Sequence, residues 1–488
     1  MAAESWGFYG RKQELERLRE SLARDRWFFV QVTGRRRIGK TSLVNEVLRL
    51  EQRRKVLYIQ IPDSDPAGVV SAARDFMESF RVPIDLPSDL RGLASGIGSL
   101  CADGWVVALD EFQYFHRKAL FSFTSQLRAE VDRLSARASE VRGGLIVLGS
   151  IHTEMAALLE DREAPLFNRV TDVLDLGHLD VESLLELIST HADAEVGRLL
   201  FLWNLFEGVP KFYRDCFEQG VLASDRRELL ETMFFNSSSP LRSEADNWFL
   251  RELRGRYDLL LKFIASHPGC SNADILDHVK SVEPDSAKQV GGYLKILDER
   301  YRMIERLQPV FAKATTRSGR FYIRDNFLRS WLAALKVPVA SINFRPTRDL
   351  VEDAIAKLEV AEGHGLERLA STLYEERSRK GLGDFRLTQA VRGWWDRGDT
   401  EIDMVAVDDE DEILRLGTCK RSGAKLLTDT GRFDEHVDRF LRHAPRFGLY
   451  RVERVAIAPR LSPEQRSVLE RRGFLAQDLQ DLIEPLLR

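Results

Sequence analysis

Cysteine is nearly missing from this chain: 4 of 488 residues, Cys101, Cys216, Cys270 and Cys419. They form no C-x-x-C pair and have no histidine at ligand spacing, which excludes a zinc site and a disulfide framework and leaves reduced thiols that pack. Long apolar runs are missing too. No stretch approaches the ~20 residues of a membrane span, and Met1 to Gly10 lacks the basic and apolar segments of a secretory signal. The expectation is a cytoplasmic protein without a membrane partner. Neither sign of charge dominates, with 72 Lys and Arg against 76 Asp and Glu, so any DNA-binding surface has to be local. There is no internal repeat and no low-complexity tract. What remains, 44% hydrophobic and 30% charged residues, is the composition of an ordinary globular protein, and the length predicts about three domains. Asn236-Ser237-Ser238-Ser239-Pro240 and the stretch from Lys336 to Pro346 are candidate linkers.

Against these absences stands one complete motif. Gly34-Arg35-Arg36-Arg37-Ile38-Gly39-Lys40-Thr41 reads G-x-x-x-x-G-K-[ST], between the apolar run Trp27–Val32 and the amphipathic run Ser42–Leu48. Glycines at those positions turn backbone N–H groups toward phosphates, Lys40 reaches the β and γ oxygens, and the Thr41 hydroxyl is left for Mg²⁺. The helix that follows, opening at Ser42, adds its positive end. Three consecutive arginines in such a loop either meet phosphate or an acidic partner, or form a solvated tip.

Lys55–Ile61 predicts a second strand, and Trp105–Leu109 a third that ends in Asp110-Glu111. A buried parallel strand delivers such a pair to the sheet's carboxyl edge, Asp110 for Mg²⁺ and Glu111 to polarise the attacking water. Gly144–Gly149 predicts a fourth strand, ending in Ser150, which is either a γ-phosphate sensor or a turn serine. Thr171–Leu176 predicts a fifth. Strands alternating with helices predict an α/β fold, a doubly wound parallel sheet flanked by helices, followed by a helical lid over Val181–Gln219.

These residues resemble the archaeal-type ATPases of the STAND branch of AAA+-like P-loop proteins, which also occur in bacteria. Phe8-Tyr9-Gly10-Arg11-Lys12-Gln13-Glu14-Leu15 looks like that family's F-x-G-R-x-x-E-L element, which the resemblance places near adenine and ribose. Asp110-Glu111-Phe112-Gln113 looks like its D-E-F-Q form of the acidic strand end. Pro165-Leu166-Phe167-Asn168-Arg169 resembles its P-L-Y-x-R signature, with Asn168 where glycine is usual. Gly208-Val209-Pro210 resembles its G-x-P lid motif, whose proline typically touches the base. Arg169 then is either an arginine finger or nucleotide sensor, or a structural arginine that caps a helix or pairs with Asp172.

The middle of the chain predicts a winged helix. Helices are expected over Tyr257–Ala265 and Asn272–Val279, with a third from Ser286 as N-cap, carrying Val290, Leu294 and Leu297 inward and Lys288, Gln289 and Lys295 outward. A strand over Arg302–Arg306, a basic turn from Lys313 to Arg320 and a strand to Ile323 make the wing. Such a module puts its third helix into duplex DNA while Lys313, Arg317 and Arg320 meet phosphate, or packs on the ATPase to communicate nucleotide state. Gly291-Gly292 weakens the first of these.

From about Glu362 the chain resembles the family's carboxy-terminal domain, similar to PD-(D/E)xK restriction-endonuclease folds. Two strands joined by an acidic turn carry Asp403 and Lys420, and Glu367 is expected on the preceding helix. In that chemistry the acids bind Mg²⁺ and the lysine orients water. Here the E-C-K triplet reads Thr418-Cys419-Lys420, and a neutral hydroxyl does not replace an anionic magnesium ligand. Glu401 substitutes only if no bulge separates it from Asp403. Trp394-Trp395 is expected to pack.

The expected organisation is an ATPase core over 1–178, a lid over 179–236, a winged helix over 245–335 and a nuclease-like domain over 350–488. The expected function is an ATP-binding and hydrolysing switch that uses ATP and Mg²⁺, with double-stranded DNA and a second copy of the chain as partners. Two alternatives stand beside it: an ATP-controlled, Mg²⁺-dependent DNA nuclease of defence or mobile-element type, cutting with Glu367, Asp403 and Lys420, and a nucleotide-binding scaffold without catalysis.

Overall fold

Apolar runs bounded by turn residues become strands buried on both faces, and the helical periods between them become crossovers. The computed structural model describes residues 5–51, 54–150, 152–244, 257–313, 318–396 and 398–487. They divide into two compact units, Ser5–Leu179 with Val209–Phe212, and Asp180–Gly208 with the chain from Tyr213 onward.

In the first unit, α1 (Lys12–Ala23) leads to β1 (Phe28–Gly34) and α2 (Lys40–Leu50), then β2 (Val56–Gln60), α3 (Pro66–Ser79), α4 (Leu90–Ala102), β3 (Val106–Asp110), α5 (Ser122–Ser135), β4 (Gly144–Leu148), α6 (His152–Leu159) and β5 (Asp172–Leu176). The five strands form one sheet in the order β2-β3-β4-β1-β5, and every pairing is parallel. All residues of β3 and β4 are buried, the continuous apolar pattern of a sheet covered on both faces. Because the strands are parallel, the ends of β1, β3 and β4 share one edge, where ligands bind in such sheets. Asn168 adopts a φ of 58°, the left-handed region that favours glycine and that asparagine tolerates, which accounts for the departure from glycine there.

The second unit begins with the helices α7 (Val181–His191), α8 (Val196–Phe206), α9 (Pro210–Glu218, whose first turn belongs to the first unit) and α10 (Arg226–Leu230). Next come α11 (Tyr257–Ser266), β6 (Cys270–Ser271), α12 (Asn272–Val282), α13 (Val290–Lys295), β7 (Ile304–Leu307) and β8 (Arg320–Ile323). The strands β6, β8 and β7 pair antiparallel in that order. Ser286 is not an N-cap: it lies inside a 3₁₀ turn over Pro284–Gln289, and its hydroxyl is spent on Glu283 at 3.0 Å. Proline at the first position starts the turn earlier than the apolar period suggested. Residues 245–256 and Arg317 fall outside the described residues.

The chain continues through α14 (Asn326–Ser330) and α15 (Lys336–Ala340) to α16 (Thr347–Arg379), a helix of 33 residues. A mixed sheet follows, built from β9 (Arg392–Trp395), β10 (Glu401–Asp408), β11 (Ile413–Cys419), β12 (Arg451–Ala458) and β13 (Phe474–Asp478), with α17 (Gly423–His443), α18 (Pro463–Arg471) and α19 (Leu479–Leu487). Three acids, Asp180, Glu182 and Glu376, converge closely enough to hold a cation, and the ammonium of Lys380 fills that role, 3.0 Å from Asp180 and 2.8 Å from Glu376 and also bonded to Glu182. Glu376 also accepts from the N–H groups of Val181 and Glu182 at 2.7 and 3.0 Å, capping α7 from the far end of α16.

Candidate functional site

The loop between β1 and α2 has the shape phosphate binding requires. Gly34 has a φ of +144° and Gly39 of +97°, and a Cβ on Gly34 would lie 2.6 Å from the Leu176 carbonyl oxygen, so no other residue fits there. Arg11 braces the loop: its buried guanidinium donates to the carbonyls of Ile38 at 3.2 Å and Gly177 at 2.6 Å. Gly10 and Arg11 both have positive φ, which aims that side chain inward. Pro210 lies on the other side, its Cγ 3.6 Å from where a Cβ on Gly39 would be. Ser42 is exposed in the first turn of α2.

Lys40 is buried and donates to the carbonyls of Gly34 and Arg35, both at 3.0 Å. Burial pushes its pKa down to about 8, against the opposing pull of Asp110 and Glu111. The Thr41 hydroxyl donates to Asp110 Oδ2 at 2.6 Å, as does the hydroxyl of Tyr58, also at 2.6 Å. Burial, then the Asp110 charge, holds the Tyr58 phenol well above its usual value. Sequence reasoning missed Tyr58. It sits two residues before Gln60, the partner of Asp110 in the β2–β3 register, so alternation puts it on the Asp110 face, but the strand order had to be known first. A hydroxyl and a carboxylate oxygen 2.6 Å apart are hard oxygen donors of the kind Mg²⁺ takes.

Glu111 follows with a φ of 56°, a left-handed turn that lifts its carboxylate off the strand end. Gln113 donates to that carboxylate, and its side-chain oxygen accepts from the Ser150 N–H at 3.3 Å. Ser150 thus meets the site through its backbone. Arg35 and Arg37 stack over the ring of Phe212 at 5.9 and 6.0 Å.

Arg169 is not part of this edge. It precedes β5, and its neighbour Thr171 bonds Phe29 at the start of β1, so it stands at the amino edge, a strand's length from Gly34. A contact with the chain's own nucleotide is therefore excluded, correcting the expected sensing role within one chain. Its guanidinium forks onto Asp132 at 2.7 and 3.1 Å, while Asp172, the expected partner, takes Arg24 at 2.7 and 2.9 Å.

In the second unit, Asp403 Oδ2 accepts from the Cys419 N–H at 2.7 Å, and from Thr418 Oγ1 and Lys420 Nζ, both at 3.2 Å. Glu367 lies near this group. Withdrawal from water, then the charges of Asp403 and Glu401, raise its pKa well above the usual carboxylate range. Lys420 pairs with Asp403, Arg320 from β8 pairs with Glu401, and Glu367 meets the ring of His364 at 3.4 Å. The register between β9 and β10 shifts between Ile402 and Val405. Among the described residues, these acids do not form a close three-acid group. Arg320 also lies over the Trp395 ring at 4.5 Å, which corrects its expected role as a free phosphate contact of the wing. Trp394 and Trp395 are buried, as expected for packing. Lys288, Gln289, Lys295 and Lys313 are exposed.

No family model matches the chain. It is 22% identical to the uncharacterized protein MJECL04 of Methanocaldococcus jannaschii over 428 residues, 83% of this chain and 85% of that one. Among solved structures, it resembles the Walker-type ATPase of Pyrococcus abyssi with a TM-score of 0.50 and 18% identity, covering 67% of this chain and 96% of the other. The ORC2 protein of Aeropyrum pernix overlaps 73% of this chain and 97% of its own, at a TM-score of 0.45 and 14% identity. No helix among the described residues is long and apolar enough to cross a membrane. The parallel sheet, its phosphate loop and the likeness to the Pyrococcus protein establish a P-loop ATPase fold with an appended mixed-sheet domain.

Proposed function

We propose that the protein is an ATP-binding and ATP-hydrolysing molecular switch of the STAND-like kind. The observation that carries this is the meeting of Lys40, Thr41, Asp110 and Glu111 at one edge of the sheet. Backbone N–H groups of residues 34–41 cradle the phosphates, and Lys40 exchanges its carbonyl partners for β and γ oxygens. Thr41 and Asp110 would hold Mg²⁺, which neutralises phosphate charge when bound. Glu111 takes a proton from water as its oxygen attacks the γ-phosphorus; the bond to the β–γ bridging oxygen breaks, its electron pair leaves with ADP, and inorganic phosphate departs. Measuring ATP binding and phosphate release on the wild type and Glu111→Gln tests this: binding retained and release lost is the expected result, and equal release by both removes Glu111 from the mechanism.

The second unit supports a readout. Glu207, buried just before Gly208-Val209-Pro210 and strained at a φ of 51°, accepts from the Asn326 N–H at 3.3 Å and pairs with Arg368 of α16 at 3.4 Å. Within this unit, Glu207 thereby ties the segment that ends α8 to α14, which follows β8, and to α16, which carries Glu367. Exposed Lys288, Lys295 and Lys313 favour duplex DNA as the local partner. Of the two alternatives, the nuclease rests on the convergence of Glu367, Asp403 and Lys420. The neutral Thr418 beside Asp403 and the pairing of Glu401 with Arg320 favour a fold kept for contact over one that cuts. Incubation with duplex DNA and Mg²⁺ or Mn²⁺ separates the two, since cleavage abolished by Asp403→Ala establishes the nuclease.

A further inference from the structure

The three arginines of the phosphate loop are not equivalent. Arg35 and Arg37 are held against Phe212, and Arg35 also approaches His178 at 3.5 Å. Arg36, between them, is exposed, and its side chain has no hydrogen bond or ion pair among the described residues. Its position is fixed by the chain. Lys40 Nζ lies 3.0 Å from the carbonyl oxygen of Arg35, and that carbonyl belongs to the peptide joining Arg35 to Arg36. Covalent geometry then puts the Arg36 Cα within about 6 Å of the ammonium that serves the β and γ oxygens.

A phosphoryl-transfer site needs a cation for the charge that builds on the γ-phosphoryl group and the bridging oxygen. Arg169 is at the wrong edge of the sheet to supply it, and Arg35 and Arg37 are pinned. We propose that Arg36 is the γ-phosphate arginine of this site, supplied from within the phosphate loop itself. The uncommitted guanidinium folds over the terminal phosphate of ATP, donates N–H groups to its oxygens, and loses that partner when phosphate leaves. Of the readings the sequence left open for the arginine triplet, this takes contact with phosphate for Arg36, and ATP is distinguished from ADP by it. This deepens the ATPase reading and rests on it.

The test uses the full chain as wild type, Arg36→Ala and Arg36→Lys, each also in a Glu111→Gln background. Turnover is measured on the first set and affinity for ATP and ADP on the second. Arg36→Ala is expected to lower kcat about 1000-fold, at the modest end for such arginines, to leave ADP affinity within about twofold, and to erase the preference for ATP over ADP. Arg36→Lys is expected to restore part of the ATP preference but little of kcat, because an ammonium lacks the planar fork. Unchanged kcat and ATP preference in Arg36→Ala overturns the proposal, as does an equal loss of ATP and ADP affinity, which marks Arg36 as a general attractor of anions. Failure of the wild type to hydrolyse ATP strikes the ATPase reading instead, and the ATP-against-ADP comparison then still decides the role of Arg36.

Discussion

Gln113 holds Glu111: the amide of one donates to the carboxylate of the other, while the amide oxygen accepts from the Ser150 N–H at 3.3 Å. The acid that would activate water is therefore not a free strand-end carboxylate. It is tied through one buried side chain to the end of β4, the neighbouring strand. A shift at either strand end moves the acid.

Loss of that tether should slow hydrolysis without weakening binding. Gln113→Ala is expected to reduce kcat about tenfold, less than the 10²–10⁴ attributed to a general base itself, with KM for ATP nearly unchanged. Steady-state phosphate release measures both.

Nucleotide binding should weaken as pH rises above about 8. Burial lowers the Lys40 pKa to about 8 in the ligand-free site, and a triphosphate raises it again, so above that pH binding must take up a proton. Calorimetry in buffers of different ionisation heat at pH 7 and 9 should show proton uptake only at the higher pH. Lys40→Arg, which stays charged, should lose the pH dependence.

The cap on α7 should be worth a measurable part of the second unit's stability. Glu376→Ala removes the acceptor for the Val181 and Glu182 N–H groups and a partner of Lys380, a loss of about 2 kcal/mol. Thermal unfolding followed by circular dichroism is expected to show that unit's transition lowered.

Thr418→Glu should create the missing cation ligand beside Asp403. Wild type is expected to bind Mn²⁺ weakly outside the phosphate site, because Lys420 and Arg320 already neutralise Asp403 and Glu401. Thr418→Glu combined with Arg320→Ala should add a second bound Mn²⁺ per chain, counted by electron paramagnetic resonance. Equal counts would contradict this account of the site.

The core of this arrangement was legible because local chemistry dictates it. The glycines at 34 and 39, the lysine between carbonyls and the acids at a strand end each have a conformational or electrostatic reason to be where they are, and the apolar runs marked all five strands. What was not legible depended on which strands become neighbours. Tyr58 reaches Asp110 only because β2 lies beside β3, and Arg169 misses the site only because β5 runs parallel to β1 with its start at the far edge. The commitment of Arg320 to Glu401 joins residues 81 apart in sequence, a distance across which no periodicity speaks. Ser286 misled because Pro284 opens a 3₁₀ turn two residues earlier and leaves the serine inside it.

The most direct test is a paired measurement on one preparation: ATP binding and phosphate release by the wild type and Glu111→Gln. The account predicts that both proteins bind ATP with Mg²⁺ and that release falls at least 100-fold in the variant, as expected for loss of a general base. Release at the wild-type rate by Glu111→Gln, or no ATP binding by either protein, would contradict it.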